Sequence, residues 1–177
     1  TYVNFQVLGK GNSAEKSAKL VSNLDSQFSM YGDGALAFVN KNSVATVKDG
    51  KELAEIINQS NSLSEKYSGV VDITSGTLTK LWGISTDKPY LPTKDEALEA
   101  ISHIDYTKVS AREVTTEQNA YQFVLPKGTE IDLGSVGKGY ACDKLKELYD
   151  KEDVICAIAS MGSSSLLYGK KPDGSKF

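Results

Sequence analysis

Residues 132–143 read Asp-Leu-Gly-Ser-Val-Gly-Lys-Gly-Tyr-Ala-Cys-Asp, which sets an acidic residue, three glycines and a lysine between an apolar strand and an amphipathic helix. Glycines let a backbone bend sharply and come close to a ligand. The start of the following helix offers free N–H groups and a positive dipole end to an anion. Phosphate binding is the chemistry that these residue types suit at this spacing. It is not that of a Walker loop, which needs a glycine five positions before its Gly-Lys pair and a Ser or Thr after it; Asp132 and Gly139 stand in those places. A second Gly-rich stretch, Gly9–Ala14, fits the dinucleotide pattern G-x-G-x-x-A. That pattern needs an acidic residue at the end of a second strand to hold a ribose. The next apolar run, Ala35–Val39, taken as that strand, ends in Asn40 and Lys41 instead. Gly9–Ala14 therefore reads as a plain turn between a strand and a helix.

The elements that must position these residues alternate between periods of two and of 3.6. Val3, Phe5 and Val7 alternate with polar residues as a half-buried strand does. Asn12 and Glu15 form a capping box for a helix over Ser13–Phe28, with Ala14, Ala18, Val21, Leu24 and Phe28 on its inner face. Ser29–Gly34 reads as a turn. A helix over Lys51–Tyr67 takes Asp49 and Glu52 as cap and turns Leu53, Ile56, Ile57, Leu63 and Tyr67 inward. A proline-marked loop, Asp87–Pro92, precedes a helix capped by Thr93 and Glu96. Strands are expected at Glu113–Thr116 and Tyr121–Leu125, a helix over Val136–Tyr149, and strands at Val154–Ala159 and Ser165–Tyr168. Lys171–Gly174 carries a strong turn signal, normally followed by a returning strand. Helices mixed with antiparallel hairpins predict an α+β fold, an antiparallel sheet packed with helices, rather than a doubly wound sheet. The 177 residues read as a single domain whose last hairpin is cut short.

Composition narrows the function classes. A net charge of −3, with Lys and Arg spread along the chain, gives no electrostatic case for nucleic acid. No stretch reaches the ~18 apolar residues of a membrane span. His103 is the one histidine, which excludes His-rich metal sites and Ser-His hydrolase chemistry and reads as a surface residue. Cys142 and Cys156 form no C-x-x-C pair and read as buried free thiols.

Several segments together resemble one family, the FAD:protein FMN transferases (ApbE family). Asp132–Asp143 is similar to its Asp-Leu-Gly-x-x-Ala-Lys-Gly-Tyr-Ala-x-Asp signature. Val70-Val-Asp-Ile-Thr-Ser75, trailed by Leu81-Trp-Gly83, resembles its Ala-Phe-Asp-x-Thr segment and the Leu-Trp-Gly that follows. Ser29-Met-Tyr31 with the later Asn40 resembles its Ser-x-Tyr…Asn segment, and Gly162 and Gly169–Gly174 its Gly-Gly and Gly-x-x-Pro-x-Gly stretches. The resemblance implies a T-fold-related flavin transferase domain. In it the FMN half of FAD is moved onto a Ser or Thr of a target flavoprotein, AMP is released, and Mg2+ bridges the pyrophosphate. The partners implied are FAD and that acceptor protein. The location implied is extracytoplasmic or membrane-anchored, with a lipoprotein leader removed ahead of Thr1 as one route.

Carried over residue by residue, Tyr31 would lie against the flavin. Val70, Val71 and Asp72 would contact FAD through backbone and carboxylate. Gly134, Lys138 and Tyr140 would line the diphosphate, and Gly137 would offer its carbonyl to the metal; no catalytic residue is assigned. The chain departs from the pattern at Gly137, where the family has Ala, and at Gly162-Ser163, where it has Gly-Gly. The family's Asp-x-x-x-Thr segment has no counterpart before Phe177, so the expectation is a domain incomplete at its C-terminal end and inactive unaided. The alternative is an FAD-binding module, or an FAD pyrophosphatase, without transferase activity. A flavin acceptor is a further reading, because Asp72–Thr77 superficially resembles an acceptor motif modified at Ser75.

Overall fold

Alternating apolar and polar residues build the first strand, β1 (Val3–Leu8), in a computed structural model that describes residues 2–177. The chain gathers into two compact units. One takes the residues up to Asp25 together with Val136–Phe177, and the other takes Ser26–Ser135.

In the first unit β1 pairs antiparallel with β5 (Cys156–Met161), which pairs antiparallel with β6 (Ser164–Gly169). The order β1-β5-β6 leaves no parallel strand beside β1, so Gly9–Ala14 opens no dinucleotide-binding unit. Helix α1 (Ser13–Phe28) starts here, and α6 (Gly137–Lys151) lies wholly within the unit. Leu145, Tyr149, Ala157, Ala159 and Met161 are buried. The Tyr149 ring tilts against that of Tyr168, with centroids 5.2 Å apart.

The inner face of α1 differs from the expected one. Ser13, Ser17 and Leu24 are buried, while Ala14 and Ala18 are exposed. Ser17 Oγ lies 2.7 Å from the Ser13 carbonyl and 3.1 Å from the Tyr149 hydroxyl. A serine that satisfies its hydroxyl on its own helix can be buried, and its small size admits the tyrosine; hydropathy alone assigns that stripe to the alanines. Cys142 and Cys156 are free thiols, Cys156 buried as expected and Cys142 only half-buried. The Lys171–Gly174 turn is closed by the Gly174 N–H on the Lys171 carbonyl at 2.8 Å.

The second unit holds an antiparallel sheet of order β2-β4-β3, from β2 (Val44–Lys48), β3 (Ser110–Glu113) and β4 (Ala120–Val124). β3 ends where Glu113–Thr116 was expected to begin. Val114 N–H bonds the Ala120 carbonyl, and the hairpin loop turns through Asn119 at φ 57°. Helix α3 (Lys51–Lys66) packs Leu53, Ile56 and Ile57 inward, and Phe123 of β4 is fully buried. Leu63 and Tyr67 are exposed, because the buried stripe passes through Ser60 and Ser64 instead. Asp49 does not cap α3. It turns at φ 55° with its N–H on Asn119, and Gly50 is the cap residue.

Ala35–Val39 is not a strand but part of α2 (Ala35–Lys41), with Leu36, Ala37 and Val39 buried. α4 (Gly76–Leu81) was not foreseen as a helix. α5 (Lys94–Ser102) carries the expected capping box, in which Glu96 N–H donates to Thr93 Oγ1 and Thr93 N–H to Glu96 Oε2. His103, expected at the surface, is half-buried. Its ring lies against Gly128, where a Cβ would come within 2.6 Å of it. The α+β class holds, with two three-stranded antiparallel sheets.

Candidate functional site

Three of the expected segments meet around one carboxylate of the second unit, Asp132. Ile131, just before it, is gripped by the Asn40 side chain, whose amide donates to the Ile131 carbonyl and accepts from its N–H, both at 2.9 Å. Asn40 thus stands in for a missing strand partner at the end of α2. Asp132 N–H donates to the Ile73 carbonyl at 2.8 Å, which joins the Ile131–Asp132 segment to the Val70–Ser75 loop. One carboxylate oxygen accepts the Gly134 N–H at 2.8 Å and the other the Thr79 hydroxyl at 2.8 Å. Thr79 was missed in the sequence because α4 itself was missed.

Tyr31 projects from the Ser29–Gly34 turn. Ser29 Oγ accepts the Tyr31 N–H and donates to its carbonyl, which fixes the turn. The Tyr31 hydroxyl donates to the Ile84 carbonyl at 2.9 Å, and the side chain remains 36% exposed, enough ring for stacking. Burial, then the Asp132 and Glu130 carboxylates, push the phenol above its ordinary range, and Lys80 opposes them. A raised phenol stays protonated at neutral pH; the stability it contributes is complete below its unfolded value and is lost as pH rises through the folded one. Asp132→Asn is therefore expected to lower the Tyr31 titration part of the way, since burial persists. A pH series of tyrosine ring NMR signals, with Tyr31→Phe as the assignment control, checks this. An unmoved titration would mean that Asp132 does not face the phenol.

The Val70–Asp72 loop leaves α3 through Ser68 and Gly69, both at positive φ. Val70 is 83% exposed, and the Val71 carbonyl is capped from within by the Ser64 hydroxyl. The Asp72 carboxylate turns toward its own loop. It accepts Thr74 N–H at 2.8 Å, Thr74 Oγ1 at 2.6 Å and Tyr106 N–H at 3.3 Å. Thr74 Oγ1 in turn accepts Asp105 N–H at 2.9 Å. What the loop presents to solvent is Val70, while Asp72 holds the loop's shape. Ser75, the other residue singled out in this loop, is half-buried at the N-cap of α4.

An open groove of about 650 Å3 separates α4 from α5, with Thr77 and Lys80 on one side and Glu96, Glu99 and His103 on the other. None of Tyr31, Val70, Val71, Asp72 or Gly134 lines it.

The unit boundary falls inside the Gly-rich signature, between Ser135 and Val136. In the first unit α6 starts at Gly137 with no side-chain cap, and a Cβ on Gly137 would meet nothing within 4 Å. Lys138 is exposed, with Nζ 3.3 Å from Ser163 Oγ in the β5–β6 turn. The serine in place of the family's second glycine is thus a partner for Lys138. Tyr140 is only 5% exposed and packs beneath Lys144 Nζ, 5.2 Å from its ring centroid, which leaves little surface for a ligand. Among the described residues no three or more His, Cys, Asp or Glu side chains gather as a metal site.

The FAD:protein FMN transferase of Salmonella typhimurium is 29% identical over 174 residues, which is 92% of this chain and 48% of that protein. The Escherichia coli FAD:protein FMN transferase is 28% identical, with the same coverage. The chain thus spans about half the length of these relatives. Among solved structures, the apo flavinyl transferase ApbE of Pseudomonas stutzeri superposes with a TM-score of 0.80 at 18% identity, over 98% of this chain and 56% of that one. The apbe protein of Thermotoga maritima gives a TM-score of 0.79 at 24% identity, over 96% and 54%. At these identities the superpositions establish the fold. The description "ApbE family" matches residues 1–177, the full extent of the sequence, and the chain belongs to that family.

Proposed function

We propose that this chain provides the flavin-handling part of an FAD:protein FMN transferase. The observation that carries the reading is the family match over all 177 residues, joined by relatives bearing that name. In the proposed reaction the hydroxyl oxygen of an acceptor Ser or Thr bonds to the FMN phosphorus. The pyrophosphate P–O bond breaks, AMP leaves, and the hydroxyl proton is released. Such a transfer needs positioning and charge neutralisation more than covalent catalysis by the protein.

The parts of the site divide by chemistry. Tyr31 offers an aromatic face to the isoalloxazine, and Val70 offers exposed apolar surface beside a loop that Asp72 keeps rigid. Gly134, in the second unit, offers backbone that suits a diphosphate; in the first unit, the uncapped start of α6 suits an anion and Lys138 supplies a cation. Tyr140 contributes by packing rather than by contact. Magnesium would take the Gly137 carbonyl as one of the several oxygen ligands it needs. Its remaining ligands would be further oxygen donors, those of the diphosphate among them. An extracytoplasmic or membrane-anchored location is proposed on the family alone. No helix of the described residues is long and apolar enough to cross a membrane.

The test is flavin binding. FAD is expected to bind with altered flavin fluorescence, and Tyr31→Ala to weaken binding about threefold to tenfold, the worth of an aromatic stack. A variant titration that overlays the wild-type curve would remove Tyr31 from the site. HPLC detection of AMP, with and without an acceptor protein, separates transfer from FAD hydrolysis.

A further inference from the structure

We infer that Thr79 is a positioning residue for the FAD site: its hydroxyl orients Asp132, and Asp132 sets the spacing between the Val70–Asp72 loop and the Gly134 turn. The inference rests on the reading of that site given above. A threonine inside a helix ordinarily returns its hydroxyl to the carbonyl four residues back. For Thr79 that carbonyl, of Ser75, lies at 3.5 Å, whereas Asp132 Oδ2 lies at 2.8 Å. One hydroxyl donates one proton, and the shorter, charged acceptor takes it.

Asp132 is the junction of both candidate loops. Its N–H reaches Ile73, in the loop that begins at Val70, and its Oδ1 accepts from Gly134. The carboxylate can hold Gly134 only while its plane stays fixed, and Thr79 is the donor that fixes its other oxygen. The helix bearing Thr79 is itself seated against the segment that leads into Asp132. Ser75 bridges Glu130 in parallel, and Lys80 Nζ pairs with Glu130 Oε1 at 2.5 Å. Thr79 therefore reads out the position of α4 at Asp132 and touches no ligand itself.

Thr79→Val keeps the shape and removes the donor, and Thr79→Ser keeps the donor. The measurement is KM for FAD and kcat by AMP release in the whole protein as its gene encodes it, with Tyr31→Ala alongside. Thr79→Val is expected to raise KM for FAD roughly tenfold, the scale of one charge-assisted hydrogen bond, with kcat changed less than about twofold. Thr79→Ser is expected to restore the wild-type KM. In Thr79→Val the Gly134 amide is also expected to exchange with solvent faster, as read by NMR. A wild-type KM in Thr79→Val, or a Thr79→Ser variant as impaired as the valine, overturns the inference. If Tyr31→Ala raises KM and Thr79→Val does not, only the role of Thr79 falls; if neither does, the FAD site lies elsewhere and both readings fall.

Discussion

Gly76→Ala is expected to cost about 2–3 kcal/mol of stability and to weaken FAD binding in the same variant. Gly76 is buried at the first position of α4. A Cβ there would stand 2.5 Å from the Glu130 carbonyl oxygen and 2.8 Å from the Glu130 and Ile131 carbonyl carbons. All three are backbone atoms, so no side-chain rotation relieves the overlap. Either α4 or the Glu130–Ile131 segment must move. Movement of α4 pulls on the Thr79–Asp132 hydrogen bond and on the Lys80–Glu130 pair, both anchored one turn further along. The cost shows as a lower urea midpoint at unchanged slope, or a melting temperature lower by roughly 5–10 °C for a chain of this size. FAD affinity should fall with it, because Asp132 loses its seat. A variant with the wild-type midpoint would mean that α4 and the Glu130–Ile131 segment approach less closely than the structure has them.

Much of this architecture is legible in the sequence where period and cap agree. The Thr93–Glu96 capping box is present as expected, and the Val3–Val7 alternation gives β1, because each depends on neighbours a few residues away. Misplacements share another cause. The buried stripes of α1 and α3 run through Ser13, Ser17, Ser60 and Ser64, whose hydroxyls are satisfied locally, and hydropathy cannot rank a satisfied serine as core. Ala35–Val39 shows neither clear period in five residues, so its helical state depends on burial of Leu36, Ala37 and Val39 against the rest of its unit. At the candidate site the motif residues are visible in order along the chain, but their division of labour is not. That Asp72 faces its own loop, that Tyr140 is packed away and that Thr79 serves Asp132 are consequences of long-range folding. Ser163 beside Lys138 is a contact between residues 25 apart, visible only once the β5–β6 turn and α6 are folded.

Asp72→Ala is expected to lower stability by about 2–3 kcal/mol and FAD affinity by tenfold or more, from the loss of a carboxylate that accepts three hydrogen bonds. Removal strands the Thr74 N–H and hydroxyl and the Tyr106 N–H in a partly buried loop, and an orphaned donor costs more than the bond it made. The informative comparison is Asp72→Asn. With its oxygen toward Thr74 the amide still accepts both Thr74 bonds, while its NH2 faces the Tyr106 N–H and cannot accept. If Asp72 acts by holding the loop, the asparagine variant should lose less than half of what the alanine variant loses. Stability and FAD affinity should then fall in proportion across the pair. If its charge contacts FAD directly, the asparagine variant should lose affinity at nearly unchanged stability. Urea unfolding and FAD titration on the two variants separate these cases. Because both carboxylate oxygens already have donors, Oδ1 from Thr74 within the loop and Oδ2 from the Tyr106 N–H outside it, the proportional outcome is the expected one. Affinity loss without stability loss would show that Asp72 turns outward to meet the ligand.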